Sequence, residues 1–387
     1  MTNRDSSPHA SHWTLDPAVD FLNHGSYGAC PRVVLETQAE LRRQLEAQPV
    51  RFFQRDAPVL FDRAREELAA FVGADADELA FVQNATSGVN TVLRSLSFGP
   101  DDELLVTDHA YNACRNALDF AATRCGARLV VARVPFPLAS SDEVIDAVLA
   151  ARSPRTRLAL LDHVTSPTGL VFPLEQLVPA LQAHGVRVLV DGAHAPGMLP
   201  LDLHALGADY YTGNCHKWLC TPKSAAFLYV PRRHQAEIRP LVISHGANAR
   251  SQDRSRFWLE FDWTGTLDPT PQLCIPAALA FLRGLPGGLE AHYAENHALA
   301  LAAQRVLCAA LGIAAPAPEA MIGTLVALPL PDGSAAELHD ALIDQDGLEV
   351  PIMPWPAPPQ RLVRVSAQRY NHLAQYSRLA SALRARL

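Results

Sequence analysis

The stretch Val188–Val230 reads VLVDGAHAPGMLPLDLHALGADYYTGNCHKWLCTPKSAAFLYV, and it decides the fold. Its start belongs to the apolar run Val186–Val190 (VRVLV), the composition expected of a strand buried on both faces of a parallel sheet. The run ends in Asp191. Ligands of open parallel sheets gather beyond the carboxyl ends of the strands, so Asp191 is predicted at a ligand position. A second predicted strand, Asp209–Thr212, precedes the pair His216-Lys217, 26 residues after Asp191.

An Asp and a Lys so placed suit one chemistry. A lysine amine forms a Schiff base with an aldehyde. A carboxylate facing a pyridine nitrogen keeps that nitrogen protonated, and the ring then accepts the electrons of a substrate α-carbanion. Either residue alone fits a structural role equally well: Asp191 as a loop cap, Lys217 as a surface lysine. A His/Asp metal site using His194 and His204 is a further alternative, but no HxxxH or HxH pair supports it, and no metal is expected.

Outward from this stretch, apolar runs alternate with helical patterns from about residue 60 to 265. Leu79–Val82, Glu103–Thr107, Ala127–Ala132 and Leu158–Leu161 read as strands; Asp142–Ala150 and Leu174–His184 read as helices. Such alternation predicts an α/β domain with a mostly parallel sheet and right-handed crossovers. After about Ala278 the rhythm changes to a helix over Leu289–Leu311, a strand over Gly323–Leu328, a helix near Ala335–Asp344, a strand over Arg361–Val365 and a terminal helix. The expected organisation is a flexible arm over 1–20, a large domain over 21–277 and a smaller α+β domain over 278–387. Thirty prolines punctuate the chain, and their cluster over Pro351–Pro359 predicts an irregular loop.

Length and composition agree. The 387 residues suffice for two domains, and 49% hydrophobic with 19% charged residues fits a globular protein. A net charge of −7 argues against a nucleic-acid partner. No apolar run approaches a membrane span, and the polar start, with Arg4 as its one basic residue, lacks the pattern of a signal peptide. Seven scattered cysteines without a CxxC predict reduced thiols and a cytoplasmic location.

The Asp191–Lys217 segment resembles the lysine region of the class V aminotransferases, a branch of the fold-type I pyridoxal-phosphate (PLP) enzymes, and the resemblance extends over nearly the whole chain. It implies PLP on Lys217, with Asp191 at the ring nitrogen. Asn84-Ala85-Thr86-Ser87-Gly88 follows a strand and opens a helix, whose first N–H groups make an anion site. By resemblance, Ala85 and Thr86 hold the phosphate, with Asn214 and His216. An aromatic ring stacks on the pyridine from Thr107–Asn112, His109 at the usual position and Tyr111 as second candidate. Ser166, in His163–Gly169, stands where desulfurases carry an Asn against the phenolic oxygen, and His194 matches another cofactor contact. Thr266, in Thr264-Gly265-Thr266, matches a phosphate contact given by a neighbouring subunit, which implies a homodimer with shared sites. Arg364 matches the clamp of the substrate carboxylate, a role that suits a guanidinium fork.

Three segments resemble the isopenicillin N epimerase branch in particular: Phe21–Gly28 (FLNHGSYG), Met321–Pro329, and Val350–Pro356 (VPIMPWP). Within it Asn23, His24 and Tyr27 are expected to bind substrate, and Tyr27, Tyr111 and His24 are candidates for a second proton donor. The resemblance implies an epimerase acting at the α-carbon of an amino acid, with a carbon–sulfur lyase or a transaminase as the alternative. A cysteine desulfurase ranks lower, because no cysteine follows Cys308 to serve as its mobile nucleophile. A PLP-binding regulator would need a DNA-binding domain, for which the arm before Phe21 is too short. A nicotinamide oxidoreductase would need a GxGxxG after a strand, and none is present.

Overall fold

The computed structural model describes residues 7–251 and 253–387. Its strands, in chain order, are β1 (Asp20–Phe21), β2 (Leu79–Val82), β3 (Glu103–Thr107), β4 (Arg128–Ala132), β5 (Thr156–Asp162), β6 (Arg187–Asp191), β7 (Tyr210–Asn214), β8 (Ala226–Tyr229), β9 (Leu325–Leu330), β10 (Leu348–Glu349), β11 (Ile352–Pro354) and β12 (Arg361–Ser366). Seven of them form the large sheet, in the order β2-β8-β7-β6-β5-β3-β4. The five strands from β7 to β4 are mutually parallel, and β8 runs antiparallel between β7 and β2.

Alternation along each strand feeds two cores. Leu104, Val106, Leu158, Leu160 and Leu189 face the helices Ala85–Ser95 and Asn112–Cys125 through Val89, Val92, Leu93 and Leu118. Leu105, Ala159, Leu161, Val188 and Val190 face the helices Asp142–Ala151 and Leu174–Gln182 through Val144, Val148, Leu177 and Leu181. Helices on both faces leave the carboxyl edge of the parallel strands as the open side, where Asp162 and Asp191 end β5 and β6 in register with one another.

The second sheet is antiparallel, in the order β11-β12-β9, and is backed by the helices Gly288–Leu311 and Leu373–Arg386. β1 pairs in parallel with β10, so the start of the chain is stitched to this smaller unit. A cut at 277/278 would fall inside the continuous helix Ile275–Gly284. The arm expected over 1–20 differs from the structure beyond its first six residues, which lie outside the described ones. Trp13 is buried between Phe281 and Tyr370 and donates from its indole nitrogen to the Ala29 carbonyl at 3.2 Å. Two aromatic partners and a satisfied N–H outweigh the polar composition of that stretch.

Among the described residues no single helix is long and apolar enough to cross a membrane.

Candidate active site

A cavity of about 540 Å³ opens at the carboxyl edge of the parallel strands. Lys217 and Asp191 both line it. Lys217 follows β7, and its backbone is fixed from below by Gly28. At φ +70 that residue approaches so closely that a Cβ would lie 2.2 Å from the His216 carbonyl oxygen, so only glycine fits. The Lys217 Nζ lies 3.2 Å from His194 Nε2. His194 Nδ1 accepts from the Trp218 indole at 3.3 Å, which leaves Nε2 as the protonated nitrogen of a neutral ring and makes it a donor to an uncharged amine. Burial and the Arg364 charge bring the Lys217 ammonium down to about 8, against the pull of Asp191. The lysine is thereby poised as a nucleophile and base.

Asp191 is 3% exposed. One carboxylate oxygen accepts from the Ala193 N–H at 3.0 Å and the other from the Cys114 thiol at 3.0 Å. Burial raises its pKa, and the two donors and the Lys217 charge oppose the rise. Lone pairs remain on both oxygens for a cationic ring nitrogen.

The helix Ala85–Ser95 points its start at the same cavity. Its N-cap Asn84 accepts from the Ser87 N–H at 2.8 Å, and Asn214 accepts from the Ala85 N–H at 2.8 Å. The Ala85 N–H is therefore engaged within the protein, in contrast to its expected contact with phosphate. The Thr86 N–H is the first-turn donor that neither cap takes. Asn214 and His216 both line the cavity as expected; His216 Nδ1 bonds the Ala225 carbonyl at 3.0 Å and turns its other nitrogen free of that contact. Together with the helix dipole they make an anion cradle.

Two histidines expected at the site are not there. His109 is fully buried between Thr168 Oγ1 at 2.7 Å and the Val134 carbonyl at 3.0 Å, and its ring packs edge-on against Trp355. It is Tyr111, at the start of the next helix, that lines the cavity. His24 is likewise buried: Nδ1 meets the Tyr370 hydroxyl at 2.8 Å and Nε2 the Lys217 carbonyl at 3.0 Å. Burial lowers its pKa to about 3, and the ring does not line the cavity; it stands as a neutral brace under the lysine backbone. His204, close to His194 in sequence, instead bonds Glu78 at 2.9 Å.

Tyr27, Ser26 and Ser166 line the cavity, Tyr27 being 74% exposed at its mouth. Asn23 does not line it; its side chain accepts from the Ser26 hydroxyl at 2.6 Å and so orients Ser26. Arg364 lies one layer behind. Its Nη1 donates to the Ser166 carbonyl and hydroxyl, its Nη2 to Ser26 Oγ at 3.2 Å. It is 3% exposed, its Nε has no partner, and no carboxylate of the described residues neutralises it. Burial lowers its pKa to about 10. A buried cation without a counter-ion is a site prepared for an anionic group.

Thr266 is exposed and does not reach the cavity within one chain. Sequence reasoning missed Asp162, Cys114 and Lys223. Asp162 and Lys223 line the cavity, and Cys114 holds Asp191. Asp162 carries the same strand-end signal as Asp191, after the predicted strand Leu158–Leu161, whereas the places of Cys114 and Lys223 rest on pairings between segments that no local motif carries.

The family model described as aminotransferase class-V matches residues 21–372. An isopenicillin N epimerase of Amycolatopsis lactamdurans is 37% identical over 96% of this chain and 96% of its own length. A probable chloroplastic L-cysteine desulfhydrase of Arabidopsis thaliana is 30% identical over 95% of this chain and 83% of its own length. Among solved structures, a cystine C–S lyase in complex with its product cysteine persulfide superimposes with a TM-score of 0.78 at 25% identity, covering 94% of this chain and 97% of its own.

Proposed function

Since this chain belongs to the class-V aminotransferase family, whose members are pyridoxal-phosphate enzymes, we propose that it transfers the α-proton of an amino-acid substrate, in the manner of an epimerase. The observation that carries the reading is the buried Lys217 amine beside the strand-end carboxylate Asp191, with the uncompensated Arg364 guanidinium at hand.

The donor set fits the cofactor. Thr86, Asn214 and His216 would hold its phosphate, Asp191 its ring nitrogen and Lys217 its aldehyde carbon; Ser166 would face its phenolic oxygen and Tyr111 its ring. Pyridoxal phosphate, when bound, supplies the electron sink for a carbanion at the substrate α-carbon. Arg364, one layer behind Ser26 and Ser166, draws the substrate carboxylate to that wall by its charge and so orients the α C–H bond. Lys217 Nζ removes the α-proton on one face. Inversion requires a donor on the other face. With His24 withdrawn and Tyr111 given to the ring, Tyr27 remains for that role.

Incubation in heavy water tests this. Wild-type protein should incorporate α-deuterium with loss of optical purity and release neither pyruvate nor sulfide. Tyr27→Phe should keep α-exchange while inversion falls at least tenfold. A borohydride-reduced protein whose Lys217 peptide lacks the phosphopyridoxyl group would sink the assignment. A second reading, a carbon–sulfur lyase, is favoured by the relatedness to L-cysteine desulfhydrases; pyruvate and sulfide from cysteine would establish it. The absence of a cysteine from the cavity lining speaks against desulfurase chemistry.

The homodimer belongs to the same proposal. Thr264 and Gly265 line a larger cavity of about 730 Å³ that shares Gln83, Ser87, Lys223 and Ser224 with the site. The exposed apolar residues Leu241, Val242, Ile243 and Leu267 lie around it, and such a patch suits a second copy that brings Thr266 to the phosphate. Sedimentation at micromolar concentration should give a dimer. Seven unpaired cysteines support a cytoplasmic location.

A further inference from the structure

The reading above leaves one buried acid without a task. Asp162 ends β5 in register with Asp191 at the end of β6, so the two carboxyls leave the sheet side by side and line one cavity. Asp162 is 3% exposed, and its Oδ2 has no hydrogen-bond partner. An oxygen that lacks a donor in such a place is suited to carry the proton itself. The groups around the pair are the Cys114 thiol, Lys217 and the Tyr111 backbone N–H. Burial and the nearby Asp191 push the Asp162 carboxyl well above the usual carboxylate range; burial raises Asp191 too, but there Cys114, Ala193 and Lys217 oppose the rise. Two adjacent buried carboxylates do not both ionise readily, and of this pair Asp162 is the one without stabilising donors on both oxygens.

We propose that Asp162 is a positioning residue that keeps its proton and donates a hydrogen bond to Asp191, holding Asp191 ionised and aimed at the cofactor ring nitrogen. This rests on the pyridoxal-phosphate reading of the site. The neutral acid adds no second negative charge beside the ring, and it fixes the rotamer of the carboxylate that does the work.

The test uses holoenzyme and three proteins: wild type, Asp162→Asn, which keeps an N–H donor and cannot ionise, and Asp162→Leu, which keeps the branched heavy-atom skeleton without a donor. The infrared spectrum of the wild type at neutral pH should contain a deuterium-sensitive protonated-carboxyl stretch that Asp162→Asn lacks. Titration of the apoproteins with pyridoxal phosphate should give Asp162→Asn a Kd within about threefold of wild type, and Asp162→Leu a Kd raised about tenfold, the loss expected for one hydrogen bond to a charged group. A wild type without that band, or an Asp162→Asn protein weakened as much as Asp162→Leu, overturns the proposal. Should Asp162→Leu not fold, the infrared comparison and Asp162→Asn still decide it. A wild type that takes up no pyridoxal phosphate overturns the cofactor reading first, and this proposal with it.

Discussion

Replacing Arg364 by Met separates stability from recognition. In the free protein the guanidinium is buried, and burial lowers its pKa from 12.5 to about 10. At 1.36 kcal/mol per unit, holding the charge there costs about 3 kcal/mol. Against this stand three hydrogen bonds, to the Ser166 carbonyl, the Ser166 hydroxyl and the Ser26 hydroxyl. At about 1 kcal/mol each these contribute about 3 kcal/mol. The two effects nearly cancel, so Arg364→Met should change unfolding free energy by less than about 2 kcal/mol in urea denaturation of the apoprotein. Substrate binding should respond differently. Truncating one side of a buried charge pair costs about 2–5 kcal/mol, which is roughly 30-fold to several-thousand-fold in affinity. Spectroscopic titration of holoenzyme with an amino acid, and with the corresponding amine that lacks the carboxylate, isolates the term. The variant should lose affinity for the amino acid and keep its affinity for the amine. Equal losses for both ligands, or an apoprotein destabilised by more than about 4 kcal/mol, would refute the reasoning.

Lys217→Met should stabilise the apoprotein at neutral pH. The wild-type amine titrates near 8 when folded and 10.5 when unfolded, so the unfolded chain binds the extra proton between those values, and wild-type stability rises with pH across that window. The advantage of the variant, up to about 3 kcal/mol at pH 7, should vanish by about pH 10.5 in denaturation curves; a pH-independent difference would contradict the burial of the amine. Gly28→Ala should shift the Lys217 backbone, because the new Cβ would sit 2.9 Å from the Lys217 Cα, and should lower stability by about 2 kcal/mol or more together with cofactor retention, read by calorimetry and by absorbance. Arg65 is fully buried against Asp62 and Asp262, with its guanidinium 4.3 Å from the Trp258 ring. Arg65→Ala should cost about 2–3 kcal/mol, because the packing of the guanidinium on Trp258 is lost and Asp262 keeps only Arg254, at 2.8 Å, as its cation; a loss below about 1 kcal/mol in urea denaturation would mean that Arg254 alone satisfies the acid.

Most of the large domain was legible because its signals are local. Leu79–Val82 and Glu103–Thr107 form strands over the predicted residues, the other predicted strands of the large sheet shift by one or two residues at their ends, and β8 (Ala226–Tyr229) was not among the predicted strands. Continuous apolar runs bounded by polar turns carry that information in a few neighbouring residues. Asp191 and Lys217 were legible for the same reason, each following a recognisable strand.

His109 and His24 show where local reading stops. Both occupy motif positions, and both have the chemistry for a site. Their roles are decided by partners far away in the chain: Thr168 and Val134 for one, Tyr370 and the Lys217 carbonyl for the other. Each of these two imidazoles is buried with both nitrogens engaged away from the cavity, which makes it a structural brace despite its motif position.

The sequence by itself determined the alternation of strands and helices and the strand ends that Asp191 and Lys217 follow, from which both reach one cavity. Only the tertiary structure decided which neighbours complete the site. The register of β5 on β6 sets Asp162 beside Asp191, the packing of Asn112–Cys125 brings the Cys114 thiol to the same carboxylate, and β12 carries Arg364 in behind Ser26 and Ser166. Hydrophobic periodicity is a property of consecutive residues, whereas burial of a charge and its pairing depend on segments that only the fold brings together.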